Sequence, residues 1–524
     1  MRRRTLLTGA AASLLAAPAV AQPAKAATLR YVPQANLTLL DPVFTTATVT
    51  TDHAYYVFDT LYSCGPDGKL KPQMAEGEEI SPDGRVWKIR LRDGLQFHDG
   101  TPVLSRDCAA SVERWTKREP FGQTMATYVD RYVTDDDRVL EIRLKRPFPL
   151  LSTALGKPDA SLPFVMPERL ARTDPFKAVT EMVGSGPYRF VADEYVSGSR
   201  IVYQKFDGYR PRAEPPEWGT GGKVATFPRV EWRVIPDPAT AAAALQNGEI
   251  EWWEAPLADL LPTLARDPNI TLQVDNPQGR PSIMRLNCLQ PPFNDVKMRR
   301  AVLMAVNQDD YMRATFGDDQ SLWRTCYSEF PCGTPYETDD NGQWMKADPA
   351  AAAKALKDAG YNGQKVVVIN PTDFPQIHPL GVVTAETLKK VGFNVDLVET
   401  DWGTVVQRRA SREPVEKGGW SVFHTFGTSA AYINPVCSAI VRGQGKDGWF
   451  GWWDSPRAEQ LVQDWLDAPD DAGQHRAASE LARLAMSDVA TVPLGMWFGK
   501  TAFRKSITGV LQGAAPYPWN VRPV

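Results

Sequence analysis

The sequence is poor in the residues that usually build metal centres and disulfide scaffolds, with 6 cysteines and 5 histidines in 524 residues. The histidines are scattered along the chain, so no zinc ligand set has the usual spacing. The cysteines are too few for a disulfide framework in a chain of this length. Cys326 and Cys332 bracket a short proline-containing loop, and we predict either a disulfide that pins this loop or two free thiols. We expect no metal and no cofactor.

The sequence also lacks an excess of charge and any catalytic signature. It carries 59 Lys and Arg against 62 Asp and Glu, a formal net charge of −3, with no basic stripe, so we expect no nucleic-acid partner. It has no nucleophile elbow, no H-E-x-x-H motif and no carboxylate pair that spacing alone singles out. Gly184-Ser185-Gly186-Pro187 lacks the Lys-Ser/Thr of a phosphate loop, and we predict a tight turn there.

Long apolar runs are absent after the first 20 residues. Arg2, Arg3 and Arg4 precede an apolar stretch from Leu6 to Val20 that ends in small residues at Ala21. We expect residues 1–21 to be a cleavable signal peptide, with the twin-arginine route favoured over the Sec route. A membrane anchor is the weaker alternative, because this run is short and alanine-rich for a transmembrane span.

What the chain has in abundance is apolar and turn-forming residues. Hydrophobic residues make up 43%, and 16 of the residues are tryptophan, which suits a globular protein. The 43 prolines and 38 glycines argue against a helical bundle, so we predict a mixed α/β fold. Alternation at Trp87, Ile89 and Leu91 predicts a half-buried strand. The first half of the chain shows further strand patterns of this kind.

The second half reads as alternating helices and strands. We predict a helix that begins at Pro349, with Asp348 as its cap, and stops at Gly360. A strand at 366–369, a helix over 380–391 and a strand from Phe393 then form a βαβ unit. Earlier in the chain, a helix over 238–246 is opened by Asp237 and closed at Asn247-Gly248. Two parts that meet near residue 285 are the simplest account.

Several motifs occur in one order that resembles a known family. They are Leu40-Asp41-Pro42, Leu91-Arg92-Asp93-Gly94, Phe97-His98-Asp99-Gly100-Thr101-Pro102, Gly184-Ser185-Gly186-Pro187-Tyr188, Gly248-Glu249-Ile250 and Pro292-Phe293-Asn294-Asp295. Each is weak alone. Together, from about Leu29 to the C terminus, they resemble family 5 of the extracytoplasmic solute-binding proteins of ABC transporters, which includes dipeptide, oligopeptide and nickel binders.

The resemblance implies a type II periplasmic-binding-protein fold, the two-lobed Venus flytrap. It places the core of lobe I at 22–60, 181–284 and 495–524, an inserted subdomain at 61–180, and lobe II at 285–494. The hinge would lie near 282–288 and near 492–497.

The resemblance also implies a function. The protein would be an exported periplasmic monomer that captures a small polar solute, a peptide or peptide-like molecule, and delivers it to an ABC permease in the inner membrane. A secreted hydrolase, such as a glycoside hydrolase, is the alternative that composition permits and no spacing supports. In a two-lobed binder the ligand stabilises the closed state, so the site would lie between the lobes.

Peptide-binding relatives carry an aspartate in one loop, where it pairs with the α-amino group of the ligand. The corresponding loop here, 418–429, has no acid, and the position of the acid falls at Thr428 or Ser429. We predict either that the ligand is not a free-amine peptide or that an acid from another segment meets its amine. The candidate ligand-binding residues are Phe44, Thr45, Thr46, Trp402, His424, Phe426 and Thr428. Core packing for Trp402 and Phe426, and a structural role for His424, are the alternatives.

Overall fold

A computed structural model describes residues 28–159, 161–338 and 343–524. The predicted signal peptide at 1–21 lies outside these residues. Across the described ranges, no helix combines the length and apolar character that a membrane crossing needs. The α-helices are Thr48–Val57, Ser105–Trp115, Pro120–Tyr128, Leu151–Leu155, Glu168–Ala171, Pro238–Asn247, Leu261–Leu264, Val296–Ala305, Gln308–Phe316, Pro349–Asp358, His378–Val391, Trp402–Arg408, Pro456–Leu466 and Asp471–Asp488.

A seven-stranded sheet joins the first, the middle and the last described segments of the chain. Thr28–Val32 pairs in parallel with two of its neighbours, and the other pairs are antiparallel. Chain segments far apart in sequence therefore share one sheet. Its strands, in spatial order, are Tyr188–Phe190, Arg200–Lys205, Arg229–Arg233, Thr28–Val32, Trp252–Trp253, Lys500–Arg504 and Ile270–Val274.

A six-stranded sheet organises the C-terminal half. Lys365–Pro371 runs parallel to Asn394–Thr400, and the helix His378–Val391 connects them, which confirms the predicted βαβ unit. One continuous apolar core extends from the seven-stranded sheet to this one. The strands, in spatial order, are Trp323–Arg324, Val492–Trp497, Arg280–Leu286, Val422–Phe426, Lys365–Pro371 and Asn394–Thr400.

A four-stranded antiparallel sheet is built between residues 75 and 144. Trp87, Ile89 and Leu91 are buried as the alternation predicts. The helix Ser105–Trp115 packs on the same subdomain core through Cys108, Val112 and other apolar side chains. The strands, in spatial order, are Ala75–Ile80, Val86–Leu91, Val139–Leu144 and Val129–Asp136. Short two-stranded pairs join Asp59–Thr60 to Phe164–Val165, Tyr62–Cys64 to Leu70–Pro72, and Ile507–Thr508 to Arg522–Pro523.

The chain crosses between the seven-stranded and six-stranded sheets at residues 275–279 and 498–499. The family resemblance implied crossings at 282–288 and 492–497. Those residues lie mainly in two adjacent strands of the six-stranded sheet and not between the sheets. The crossings therefore shift by a few residues. An apolar strand pattern gives no sign of where the chain changes sheets, since both sheets bury it equally.

Local sequence signals explain several boundaries. The side chain of Asp237 accepts a hydrogen bond from the backbone N–H of Thr240 and caps the predicted helix, which ends at Gly248 with φ of 75°. The turn at Gly184 packs against the end of the helix Thr48–Val57. A Cβ atom at Gly184 would lie 2.0 Å from the carbonyl oxygen of Val57, so this turn requires glycine.

Candidate functional site

An open cleft of about 1310 Å³ separates residues 43–176 from residues 410–466. Its two sides touch at one end, where Arg442 Nη1 donates to the carbonyl oxygen of Pro120 at 3.2 Å and Gln444 Nε2 donates to Gln123 Oε1 at 2.8 Å. The cleft is lined by aromatic and charged side chains from both sides. They include Phe44, Phe176, Trp449, Phe450 and Trp452, with Lys117, Arg118, Asp174, Arg412, Arg442, Asp447 and Glu459.

A smaller, more enclosed cavity of about 70 Å³ adjoins this cleft and shares four lining residues with it, namely Thr46, Arg118, Ser161 and Trp449. We call it the inner cavity. Both sides of the cleft contribute to it, so a molecule held there would contact both. Its other lining residues include Thr48, Thr51, Glu119, Lys157, Asp159, Arg409, Thr425, Phe426, Gly427, Tyr432 and Cys437.

One charged pair in the inner cavity is satisfied within the protein. Lys157 Nζ lies 2.7 Å from Glu119 Oε1, and both side chains are almost fully buried. The second carboxylate oxygen of Glu119 accepts from the backbone N–H of Gly122 at 2.7 Å and caps the helix Pro120–Tyr128. These contacts give the pair a structural role at the cavity wall.

A second carboxylate comes from the loop after the helix Leu151–Leu155. Asp159 is buried, and its Oδ2 accepts a hydrogen bond from Thr428 Oγ1. Thr428 follows the strand Val422–Phe426 in the loop that has no acid of its own. A carboxylate from a distant segment therefore lies beside the neutral loop.

Arg409 is the buried cation of the inner cavity. Its side chain is 1% exposed, and Nη2 donates to Thr46 Oγ1 at 3.3 Å, while Nε has no hydrogen-bond partner. Among the described residues, no carboxylate lies within ion-pair distance of its guanidinium. The rings of Trp402, Phe423 and Phe450 surround it at 5.5, 5.7 and 4.9 Å.

Burial lowers the pKa of Arg409 to about 10, so the group stays protonated at neutral pH. A buried charge without a counterion is costly, and the three rings compensate for only part of this cost. The arrangement can therefore bind an anion, because a carboxylate would neutralise the charge and accept the unused N–H groups.

Thr46 links the two sides of the cleft. Its hydroxyl oxygen accepts from Arg409 and also lies 3.3 Å from the indole nitrogen of Trp449, which donates to it. Thr46 precedes the helix Thr48–Val57 of the N-terminal half, whereas both donors belong to the C-terminal half. This hydroxyl therefore connects the two sides of the cleft at the inner cavity.

The structure brings several of the predicted ligand-binding residues together. Phe44 lines the open cleft, Thr46 and Phe426 line the inner cavity, and Trp402 lines a small pocket that Thr46 and Phe426 share. Thr428 contacts the wall of the inner cavity through Asp159. Their part in ligand binding stays a prediction.

Two predicted residues lie apart from the described cavities. The hydroxyl of Thr45 is buried and accepts from the backbone N–H of Ala47 at 3.2 Å. His424 is fully buried in its strand, where Nε2 lies 2.7 Å from Thr384 Oγ1. Burial lowers the pKa of His424 to about 3, so its ring is neutral. This position corresponds to the structural alternative that the sequence left open.

The sequence analysis missed Arg409, Asp159 and Arg118. Arg409 continues the helical face of Trp402, Val405 and Val406 at the i+7 position, and a basic residue on such an apolar face was a signal that could have been used. Asp159 gave no signal, because it lies in a loop that only the folded chain brings to the cavity.

The remaining cysteine and metal predictions concern other parts of the chain. Cys326 and Cys332 form a disulfide, with 5.8 Å between their Cα atoms, which is the first of the two alternatives. Cys64, Cys108, Cys288 and Cys437 are free thiols. Within the described ranges, no cluster of three or more His, Cys, Asp or Glu residues could hold a metal ion.

Comparison with known proteins relates this arrangement to one family. The family model for bacterial extracellular solute-binding proteins, family 5 Middle, matches residues 69–437. A probable peptide ABC transporter periplasmic-binding protein, y4tO of Sinorhizobium fredii, is 36% identical over 93% of this chain and 92% of its own length. The glutathione-binding protein GsiB of Pectobacterium atrosepticum is 28% identical over 81% of this chain and 78% of its own length.

Solved structures share the fold. AgaA from A. tumefacien R10, in complex with agropinic acid, superposes with a TM-score of 0.79 at 20% identity, covering 95% of this chain and 99% of that one. DppA from Helicobacter pylori, in complex with the peptide STSA, gives 0.78 at 21% identity, covering 95% and 98%. These comparisons confirm the type II binding-protein fold and give no support to the hydrolase alternative. The chain belongs to family 5 of the bacterial extracellular solute-binding proteins, and it is a binding protein rather than an enzyme.

Proposed function

We propose that the solute is a small peptide or peptide-like molecule whose carboxylate binds Arg409 in the inner cavity. As a member of its family, the chain is the substrate-binding component of an ABC importer. One relative is named as a probable peptide-binding protein, another as a glutathione-binding protein, and one structural neighbour is in complex with agropinic acid. They support a solute of this chemical class for the present chain.

The observation that carries the proposal is the buried guanidinium of Arg409 without a counterion. A planar carboxylate matches the fork of an arginine side chain and accepts two parallel hydrogen bonds from it. Where the solute also carries an amine, Asp159 lies in the wall of the same cavity and supplies the acid that the loop 418–429 lacks. Arg409 and Asp159 thus place a cation and a carboxylate in the wall of one cavity.

Two lobes would close around this solute. We propose that the lobe I core comprises 28–60, 181–274 and 500–524 with the insert 61–180, that lobe II comprises 280–497, and that the hinge lies at the crossings 275–279 and 498–499. A solute that contacts Arg409 and the lobe I side stabilises the closed state by its differential affinity for that state. The closed protein, an exported periplasmic monomer, would then be recognised by an inner-membrane permease.

Calorimetry with a peptide panel tests the proposal. Alanine di- and tripeptides with a free C terminus, the same peptides with a C-terminal amide, and N-acetylated forms would be titrated into the protein, followed by mass analysis of each recovered peptide. The proposal expects unmodified free acids to bind and their amides to bind at least tenfold more weakly. Equal binding of acid and amide, no binding by any peptide, or cleavage of a bound peptide would contradict it.

A further inference from the structure

Two arginines, Arg118 and Arg412, line the open cleft from opposite sides. Arg118 follows the helix Ser105–Trp115 on one side, and Arg412 follows the helix Trp402–Arg408 on the other. Burial is the main influence that lowers the pKa of Arg118. The carboxylate of Asp41 opposes this effect, and the positive charges of Arg114 and Arg412 add to it. Two like charges therefore lie on opposite sides of one cleft, and closing the cleft would bring them nearer to each other.

Neither guanidinium is neutralised within the described residues. Arg118 Nη2 donates to the carbonyl oxygen of Phe44 at 2.9 Å, and Arg412 Nη2 donates to that of Lys446 at 2.5 Å. No carboxylate of those residues lies within 4.0 Å of either group, whereas Glu459 in the same cleft is paired with Arg442 at 2.6 Å.

The other charged residues of the cleft leave its net charge positive. Asp174 accepts a hydrogen bond from the backbone N–H of Phe176 at 2.8 Å. Asp447 also lines the cleft, and Lys117 offsets one of these two negative charges. The cleft keeps a net positive charge at its mouth, since Arg118 and Arg412 outnumber the one acid that remains.

Aromatic rings hold both arginines in place. Arg118 lies between the rings of Phe44 and Phe176, 5.7 and 4.8 Å from their centroids, and Arg412 lies 5.8 Å from Trp452. Phe176 is 61% exposed, which is unusual for so large an apolar side chain. Stacked guanidiniums keep their N–H edges available, and the exposed ring offers an apolar contact beside them.

We infer that the mouth of the cleft is a second anion subsite, in which Arg118 and Arg412 together bind a second carboxylate of the solute. This inference rests on the proposed function, because the first carboxylate is assigned to Arg409. Since Arg118 also lines the inner cavity, one molecule can reach both subsites. The solute class is therefore an acidic peptide or a related molecule with at least two carboxylates.

The second subsite also couples solute charge to closure. Without a solute, closing the cleft brings two like charges together, which disfavours the closed state. A carboxylate between them converts this repulsion into two charge-assisted contacts, one from each side of the cleft. Neutral peptides would leave the repulsion in place, so the same pair discriminates against them.

Matched tripeptides test the inference. Three pairs would be titrated by calorimetry, each with glutamate or glutamine at one position of an otherwise all-alanine tripeptide. We expect at least one glutamate peptide to bind about ten- to a hundredfold more tightly than its glutamine partner, as hydrogen bonds between charged groups suggest. Arg118→Gln and Arg412→Gln should each remove most of this preference, and higher salt should reduce it.

A matched control is Arg476→Gln, which removes the same charge from an exposed position on the helix Asp471–Asp488 outside the cleft and should keep the preference. The inference is overturned if all three pairs bind within twofold in the wild type, or if the preference survives both cleft variants. In those cases free acids would still bind more tightly than their amides through Arg409. Failure of the proposed function would instead appear as equal binding of acid and amide, or as no peptide binding, and would remove both assignments.

Discussion

Two buried arginines in the C-terminal half are alike in burial and opposite in hydrogen bonding. Arg285 and Arg409 are each 1% exposed, and burial lowers the pKa of each to about 10. Arg285 Nη1 donates to the carbonyl oxygens of Ala490 and Ile440, at 2.7 and 3.0 Å. Its Nε donates to another carbonyl at 2.9 Å. The guanidinium of Arg409 makes one hydrogen bond to the described residues, at 3.3 Å to the hydroxyl of Thr46.

This difference in hydrogen bonding indicates a structural role for Arg285 and a ligand-binding role for Arg409. The donors of Arg285 join the strand Arg280–Leu286 to segments near residues 440, 450 and 490, so the charge ties the six-stranded sheet to its surroundings. Arg409 lines a cavity to which both sides of the cleft contribute, and its Nε has no hydrogen-bond partner. Burial and a lowered pKa alone thus do not mark a ligand site, whereas unused hydrogen-bond donors at a cavity do.

The largest effect on stability should come from Arg285. Arg285→Gln leaves several buried carbonyl oxygens without a donor, and we expect the free energy of unfolding to fall by about 3–5 kcal/mol. Arg409→Gln should change it by about 1 kcal/mol or less, because that side chain satisfies little within the protein. Urea denaturation of both variants measures the contrast. Equal losses would erase the distinction between the two arginines.

Glu329 is a buried acid whose hydrogen bonding is as incomplete as that of Arg409. Neither of its carboxylate oxygens has a hydrogen-bond partner. Burial raises its pKa from 4.5 to about 8, and the charge of Arg285 opposes this only in part. The folded protein therefore keeps a proton that the unfolded chain releases near pH 4.5. The stability associated with this group is complete below pH 4.5 and is lost as the pH rises through about 8.

Glu329→Gln should remove this pH dependence. At pH 8 we expect the variant to be more stable than the wild type by about 4 kcal/mol, with little difference at pH 4. Denaturant unfolding at the two pH values measures it. Since Glu329 lines none of the described cavities, peptide affinity should stay unchanged. A wild type that gains stability over the variant between pH 4 and pH 8 would show that the buried carboxylate is ionised.

Thr46 should give the smallest effect. Thr46→Val keeps the size of the side chain but removes the hydroxyl that Arg409 and Trp449 share, and we expect peptide affinity to fall by about three- to tenfold. Thr263→Val, at an exposed position in the helix Leu261–Leu264 and outside the described cavities, is the control and should bind normally. Calorimetry with the tightest peptide measures both variants. Unchanged affinity in Thr46→Val would mean that the closing contact lies elsewhere.

Local features of the fold were predictable from the sequence, and long-range ones were not. Asp348 caps the helix Pro349–Asp358, and Gly392 ends the helix His378–Val391 with φ of 109°, as their sequence positions predict. These signals act over a few residues. The division of the chain among the sheets came from the family resemblance, because pairing of Thr28–Val32 with Arg229–Arg233 depends on contacts across 200 residues.

The candidate site shows the same limit. Phe44, Thr46 and Phe426 were found because they lie in motifs or in an aromatic loop, and all three line a cavity. Asp159 and Arg409 come from segments about 250 residues apart, so no spacing rule connects them. His424 and Phe426 are two residues apart in one strand and so lie on the same face of the sheet. They differ in position along the strand: His424 contacts Thr384 of the helix His378–Val391, whereas Phe426 ends the strand and lines the inner cavity.

The most direct test of the account is a double cycle that crosses the solute carboxylate with Arg409. An alanine tripeptide and its C-terminal amide would each be titrated into the wild type and into Arg409→Gln, with Arg408→Gln as the control. The account predicts a coupling free energy of about 1.5–3 kcal/mol between the carboxylate and Arg409, and a value near zero for Arg408. A coupling near zero for Arg409 as well would contradict it.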